Sequence, residues 1–179
     1  MRIIAGTNKG RPLKTPKWSG LRPTSDKLRE TLFNIVAARV PDSRVLDVFA
    51  GSGAIGLEAL SRGASRVAFI EQDRRAAELI AENAVLCGVR DRCVIIRGAA
   101  ERVLQQQIDG DPFDLVILDP PYAFAASDEV IAAAARHLAP SGLVILEHAW
   151  RREVPVAAGL RAIRTVRSGD SALTLFEAQ

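Results

Sequence analysis

Residues 46–59 read LDVFAGSGAIGLEA, and the way this stretch folds decides the architecture around it. Leu46, Val48 and Phe49 form a short apolar run interrupted only by Asp47, then glycines fall at 51, 53 and 56 and open a helix that runs to about Arg62. A strand that ends in a glycine-rich turn and opens a helix brings backbone N–H groups and a helix N-terminus to the carboxyl edge of a sheet. The spelling G-x-G-x-x-G suits a dinucleotide such as NAD, and it equally suits a nucleoside such as S-adenosylmethionine. A tight turn without a ligand is the third reading.

Outward from this stretch, strand and helix alternate. Apolar runs at Val45–Phe49, Val67–Ile70, Val94–Ile96, Leu115–Leu118 and Leu143–Leu146 are predicted as strands. Predicted helices lie between them, from the glycine loop to about Arg62, over 74–87, around Ala100–Gln106 and near Asp128–Leu138. Short apolar strands separated by helices imply parallel βαβ units with both sheet faces covered. Leu160–Val166 and Leu173–Phe176 are joined only by Ser168-Gly169-Asp170-Ser171, too short for a crossover helix, so they are predicted as an antiparallel hairpin. Upstream, RPTSDKLRETLFNIVAARV reads as a helix with caps among Thr24, Ser25 and Asp26, an apolar stripe at Leu28, Leu32, Ile35 and Val36, and a stop at Pro41.

The bulk numbers bound the rest. The chain has 179 residues, 48% hydrophobic and 25% charged, which is a single ordinary globular domain. No apolar run approaches the roughly 18 residues of a membrane span, and the apolar part of Met1–Gly6 is too short for a secretory signal. Cys87 and Cys93 match no zinc or redox spacing and read as small buried hydrophobes in a reducing, cytoplasmic setting. The charge is uneven. Arg2, Lys9, Arg11, Lys14, Lys17 and Arg22 give the first 23 residues six cations and no acid, whereas the whole chain is only +3. A basic arm on a mildly acidic body suits a polyanion such as RNA. Ile3, Ile4, Leu13, Trp18 and Leu21 among the charges, with a Thr7-Asn8-Lys9-Gly10 turn, predict an ordered hairpin arm over 1–22 ahead of a main domain over 23–179.

Three features bear on the ligand. Glu71 stands 20 residues after Gly51 at the end of the second strand, where a carboxylate accepts hydrogen bonds from ribose hydroxyls of either cofactor. Asp47, just below the loop, would oppose a pyrophosphate but favour the sulfonium and ammonium of S-adenosylmethionine. Residues 114–122, DLVILDPPY, end the fourth strand in Asp119-Pro120-Pro121-Tyr122. The prolines stiffen the segment, Asp119 and the Pro120 carbonyl form an acceptor pair, and Tyr122 supplies a flat face. That set suits a planar nucleobase with an exocyclic amine, whose lone pair must be freed from the ring and aimed at a methyl donor. The base would be unstacked into the pocket.

With RIIAG and KGRPL in the arm, LRPTSDKLRETLFN, LDVFAGSGAIGLEALSRGA, FIEQD and LDPPY, the chain resembles the RsmD-type bacterial methyltransferases over nearly its whole length. The resemblance implies an α/β, Rossmann-like class I methyltransferase with a seven-stranded, mostly parallel sheet. It implies transfer of a methyl group from S-adenosylmethionine to the N2 amine of a guanine in 16S ribosomal RNA, within a protein-bound small-subunit particle. It further implies that Asp47, Phe49, Gly51, Ser52 and Gly53 hold the methionine part of the cofactor, with Thr24 near its carboxylate. Glu71 would take the ribose, and Gln72, Ala99 and Ala100 would flank the adenine. Asp119, Pro120 and Tyr122 would receive the guanine, and the six arm cations would grip RNA. Many methyltransferases carry an acid after the third strand for the adenine amino group; here Gly98 is followed by two alanines, so backbone recognition is expected instead.

The competing readings are an adenine-N6 methyltransferase of DNA or another RNA, an NAD-dependent oxidoreductase, and a non-catalytic RNA-binding module. The first lacks room for a target-recognition domain, and the second has no use for the Asp-Pro-Pro segment. No metal is expected, and a monomer is the default. His137, near a helix end, reads as solvated, while Glu147 and His148 end the fifth strand at the ligand edge.

Overall fold

The computed structural model describes residues 1–16, 18, 24–108, 110–121, 128–154 and 159–179. Among these, seven strands form one sheet: β1 (Arg44–Val48), β2 (Arg66–Glu71), β3 (Cys93–Arg97), β4 (Phe113–Leu118), β5 (Leu138–Ala149), β6 (Leu160–Ser168) and β7 (Ser171–Ala178). The helices are α1 (Asp26–Ile35), α2 (Ala54–Ser61), α3 (Arg74–Leu86), α4 (Ala100–Val103) and α5 (Asp128–Ala135).

The strand order is β3-β2-β1-β4-β5-β7-β6. β1 to β5 run parallel, β7 enters antiparallel against β5, and β6 closes the edge antiparallel to β7. This is the expected seven-stranded methyltransferase sheet with its terminal hairpin. The order reverses between β1 and β4, and ligands of such sheets bind outside the carboxyl ends of the strands at that switch point.

The sheet separates two cores. Val45, Phe69, Leu115 and Ile117 pack with α1, α2 and α3 on one face, including the fully buried Phe33, Leu57 and Ile80. Leu46, Val48, Ile70, Val116 and Leu118 pack with α4 and α5 on the other. Successive residues of one strand therefore feed opposite cores, as the pleat requires. Cys87 and Cys93 are buried and unpaired with each other, and burial pushes the Cys93 thiol up to about 11. Among the described residues no helix is long and apolar enough to cross a membrane, and no cluster of His, Cys, Asp or Glu is placed to hold a metal ion.

α4 and α5 end about three residues earlier than predicted, and two further elements differ in a way that has a local cause. α1 ends at Ile35, and a single 3-10 turn over Ala37–Arg39 leads into Pro41, so the helix is shorter than its sequence pattern. β5 begins at Leu138, not Leu143: Phe113 pairs with Leu138, and the ladder resumes only at Leu115–Leu143 after a register shift. Ala139–Gly142 is an irregular excursion inside the strand, which is why its Pro-Ser-Gly composition reads as a loop.

The N-terminal arm is a small hairpin laid on the main domain. Arg2 and Pro12 form an antiparallel bridge, the Ile3 N–H reaches the Arg11 carbonyl at 3.0 Å, and the Leu13 N–H reaches the Met1 carbonyl at 3.1 Å. Ile3 and Leu13 are buried in the first core. Gly6 has φ +82°, and a Cβ there would stand 1.8 Å from the Ser61 carbonyl oxygen, so only glycine permits this approach of arm to α2.

Candidate active site and cofactor cleft

β1 ends where its backbone leaves the extended region. Phe49 has φ 63°, Gly51 φ 55° and Gly53 φ 76°. A left-handed Phe is uncommon and strained. It is held because the neighbouring Ala50 N–H bonds the Ile70 carbonyl at 3.0 Å and the Gly53 N–H bonds the Ala50 carbonyl at 2.7 Å. Gly56, one turn into α2, sits against the Phe69 ring, where a Cβ would come within 2.3 Å of Cε1. The third glycine thus serves helix–sheet packing rather than ligand contact.

Carboxylates converge on this loop. Glu71, buried at the end of β2, accepts the Gly51 N–H on one oxygen and the Asp73 N–H on the other, both at 2.8 Å. Asp47, buried in β1, accepts the Gly56 N–H at 2.9 Å through Oδ2, whereas its Oδ1 is buried without a partner among the described residues. Burial drives the Asp47 carboxyl well above 3.8; the Gly56 hydrogen bond opposes this, and the nearby charges of Asp119 and Glu71 push it further up. Three acids from the ends of β1, β2 and β4 therefore share one field.

Such a cleft repels an anion. A pyrophosphate would add negative charge to three carboxylates, against the dinucleotide reading. A ligand with a sulfonium and an ammonium group would relieve the repulsion and offer the Asp47 oxygen a partner. The residues present fit S-adenosylmethionine.

The end of β4 lies in the same place. The Asp119 N–H reaches the Val48 carbonyl at 3.4 Å, which ties this segment to the end of β1. The hydroxyl of Thr24, just before the α1 N-cap Ser25, donates to Asp119 Oδ2. Thr24, expected near the cofactor's carboxylate, thus stands on the Asp119 carboxylate. Pro120 is buried and Pro121 exposed. Tyr122 lies outside the described residues, as do Lys17 and Arg22 of the arm.

At the adenine side, the Gly98 N–H bonds the Glu71 carbonyl at 3.0 Å, which sets the end of β3 beside the end of β2. Ala99 is the N-cap of α4 with no side-chain capping bond, Ala100 is packed in the second core, and Gln72 is exposed. Ser52 is buried beside Met1, its hydroxyl 3.9 Å from the Met1 sulfur. Glu147 and His148 are buried in β5; His148 pairs through Nε2 with the Thr174 hydroxyl at 2.9 Å, an internal sheet contact. His137, expected to be solvated, contacts the Leu104 carbonyl at 3.1 Å through Nε2.

Three buried polar residues with no place in the sequence analysis frame the cleft. Glu58 of α2, fully buried, accepts the N–H groups of Ile4 at 2.8 Å and Ala5 at 3.0 Å and pairs with Arg62 at 2.8 Å. Asn83 of α3 accepts the Lys14 N–H at 2.8 Å and donates to the Lys14 and Ser52 carbonyls at 3.1 Å. Arg29 of α1 donates to the Arg2 carbonyl at 2.8 Å and pairs with Asp26 at 2.7 Å. Together they clamp the arm to the helices around the glycine loop. A signal for two of them exists in the sequence: Arg29 falls between Leu28 and Leu32 on the buried face of α1, and Asn83 continues the Ala76, Leu79, Ile80 stripe of α3.

The model of the family described as Conserved hypothetical protein 95 matches residues 1–177. Among curated relatives, Ribosomal RNA small subunit methyltransferase D of Escherichia coli strain K12 is 36% identical over 180 residues, covering 99% of this chain and 89% of that protein. The protein of the same name from Haemophilus influenzae is 38% identical over 151 residues, covering 82% of this chain and 78% of its own. Among solved structures, that of yhhF from Escherichia coli superposes with a TM-score of 0.88 at 33% identity, covering 100% of this chain and 98% of that one.

Proposed function

The chain belongs to the RsmD family of methyltransferases, matched under the description Conserved hypothetical protein 95, and from that membership we propose that it methylates the N2 amine of a guanine in 16S ribosomal RNA with S-adenosylmethionine as donor. The observation that carries the reading is the convergence of Asp47, Glu71 and Asp119 on one cleft, with a buried Asp47 oxygen lacking a partner among the described residues.

The bound cofactor supplies a methyl group made electrophilic by the sulfonium. Asp47 balances the cofactor's positive charge, the loop Phe49, Gly51, Ser52 and Gly53 encloses its methionine part, and Glu71 accepts hydrogen bonds from its ribose. Gln72, Ala99 and Ala100 border the adenine. Asp119 and the Pro120 carbonyl accept the N–H groups of the guanine amine and draw its lone pair out of the ring, with Tyr122 against the base. The cofactor would supply the methyl carbon and leave as the neutral thioether, while the lone pair freed by Asp119 and the Pro120 carbonyl would be aimed at that carbon and Asp119 or solvent would take the amine proton. Positioning and a fixed electrostatic field supply most of the acceleration. Thr24, donating to Asp119, holds that carboxylate in its accepting orientation.

In this reading residues 1–22 serve as the RNA-contacting arm and 23–179 as the methyltransferase domain, acting in the cytoplasm as a monomer on RNA already bound by ribosomal proteins. The test is transfer of labelled methyl from S-adenosylmethionine to small-subunit particles from cells lacking this protein. Asp119→Ala should retain cofactor binding within a few-fold and lose at least a hundredfold in transfer. Full transfer by that variant would overturn the assignment.

A further inference from the structure

Between the arm and α1 lies an open groove of about 350 Å³, lined by Arg2, Ile3 and Lys9 from the arm and by Lys27 and Glu30 from α1. Arg2, Lys9 and Lys27 are exposed, and none forms an ion pair among the described residues. The other acid at the groove, Asp26, is already neutralised by the buried Arg29. Three cations without an acidic partner among the described residues therefore stand against one such carboxylate. The arm's backbone is engaged inward, with the Arg2 carbonyl on Arg29 and the Ile4 N–H on Glu58, so charged side chains are what the groove offers a ligand.

The remaining described arm cations are already engaged by α3. Lys14 pairs with Glu82 at 2.8 Å, and Arg11 donates to the Leu86 carbonyl at 2.5 Å. α3 starts at the ligand edge beside Glu71 and runs for 13 residues. At 1.5 Å per residue, its Leu86 end, which holds Arg11, is about 20 Å from its own start. Lys27, in contrast, follows three residues after Thr24, which bonds Asp119, so chain length alone keeps it within about 11 Å of Thr24.

We propose that this groove is a phosphate-binding subsite in which Arg2, Lys9 and Lys27 hold the RNA backbone of the single-stranded nucleotides next to the target guanine. The proposal rests on the RNA methyltransferase reading above and narrows it. Only part of the basic arm grips RNA, and α1 contributes a cation that lies outside the arm.

The experiment is RNA binding by the full-length protein to unmethylated 16S ribosomal RNA over a salt series, beside cofactor titration and methyl transfer. Each cation that neutralises a phosphate of a single strand contributes about 0.7 to the slope of log K against log salt. Lys27→Ala should therefore flatten the slope by about 0.7, and Lys9→Ala with Lys27→Ala by about 1.4, with a raised KM for RNA and unchanged cofactor affinity. Arg11→Ala and Lys14→Ala should leave the slope as it is. Both groove lysines are exposed and make no ion pair among the described residues, and an unchanged thermal midpoint would show that the variants fold. An unchanged slope in the double variant, or a flattening confined to Arg11 and Lys14, overturns the groove. If the wild type binds RNA with these slopes but transfers no methyl group, the activity reading fails while the groove stands. If the wild type does not bind RNA, both fall.

Discussion

Asp47 gives one carboxylate oxygen to the Gly56 N–H at 2.9 Å and leaves the other buried with no partner among the described residues. Burial, first, and the charges of Asp119 and Glu71 hold its carboxyl well above 3.8, despite the Gly56 hydrogen bond. Between pH 3.8 and the carboxyl's own raised value the folded protein therefore retains a proton that the unfolded chain has released. Stability from the protonated carboxyl is complete below pH 3.8 and is lost as pH rises through the folded value.

Asp47→Asn removes this dependence while keeping an acceptor for Gly56. Without cofactor, the variant should melt several degrees above wild type at about pH 8, and the two should converge near about pH 4. Its affinity for S-adenosylmethionine should drop at least tenfold, since the cofactor's positive charge favours the ionised Asp47 carboxylate and asparagine cannot supply that charge. Thermal melts across pH with and without cofactor check both halves. A variant less stable than wild type at the alkaline end would count against it.

Glu58 is the anchor of the arm. It is fully buried and satisfies two arm N–H groups together with Arg62. Glu58→Ala strands all three donors, and removing one partner of a buried pair costs about 3 kcal/mol or more. Urea unfolding should show that loss, and limited proteolysis should cut within the arm ahead of Lys14, which wild type protects. Resistance of the variant's arm to cleavage would show that Glu58 is not what holds it.

What the sequence made legible follows from its chemistry. β1, β2 and β4 are buried on both faces, so they appear as mainly apolar runs, and their parallel order follows from the helices between them. The acids at strand ends are legible for a related reason: Asp47, Glu71 and Asp119 are charged residues closing apolar strands, where nothing but a ligand edge tolerates them. The start of β5 is hidden because Pro140 and Gly142 carry turn chemistry inside a bulged strand. The partner of Thr24 is hidden because it lies 95 residues away in sequence. Glu58, Asn83 and Arg29 escape notice because a polar residue on a buried helix face shows its use only when the docked arm is seen.

Gly56 owes its place to packing against β2. A Cβ there would lie 2.3 Å from Phe69 Cε1 and 2.7 Å from Val67 Cγ1. Gly56→Ala should destabilise by about 2 kcal/mol through overpacking and weaken cofactor binding by displacing the loop. Phe69→Leu should cost stability alone, yet added to Gly56→Ala it should restore part of the loss. Coupling of that sign in a double-mutant cycle is the check; simple additivity would mean that the glycine is required for another reason.

Thr24 separates two roles by kinetics. Its hydroxyl donates to the Asp119 carboxylate, so Thr24→Val removes a hydrogen bond to a charged group, worth about 1.5 to 3 kcal/mol. If Thr24 acts by orienting Asp119, kcat should fall at least tenfold while cofactor affinity changes less than threefold. Thr24→Ser, which keeps the hydroxyl, should recover most of the rate. If Thr24 instead serves the cofactor's carboxylate, the loss should appear in the S-adenosylmethionine dissociation constant, and kcat at saturation should stay near wild type. Titration of cofactor binding beside saturating-rate measurements on the three proteins distinguishes the outcomes. The geometry favours the first, because the partner that the Thr24 hydroxyl has among the described residues is the carboxylate meant to receive the base.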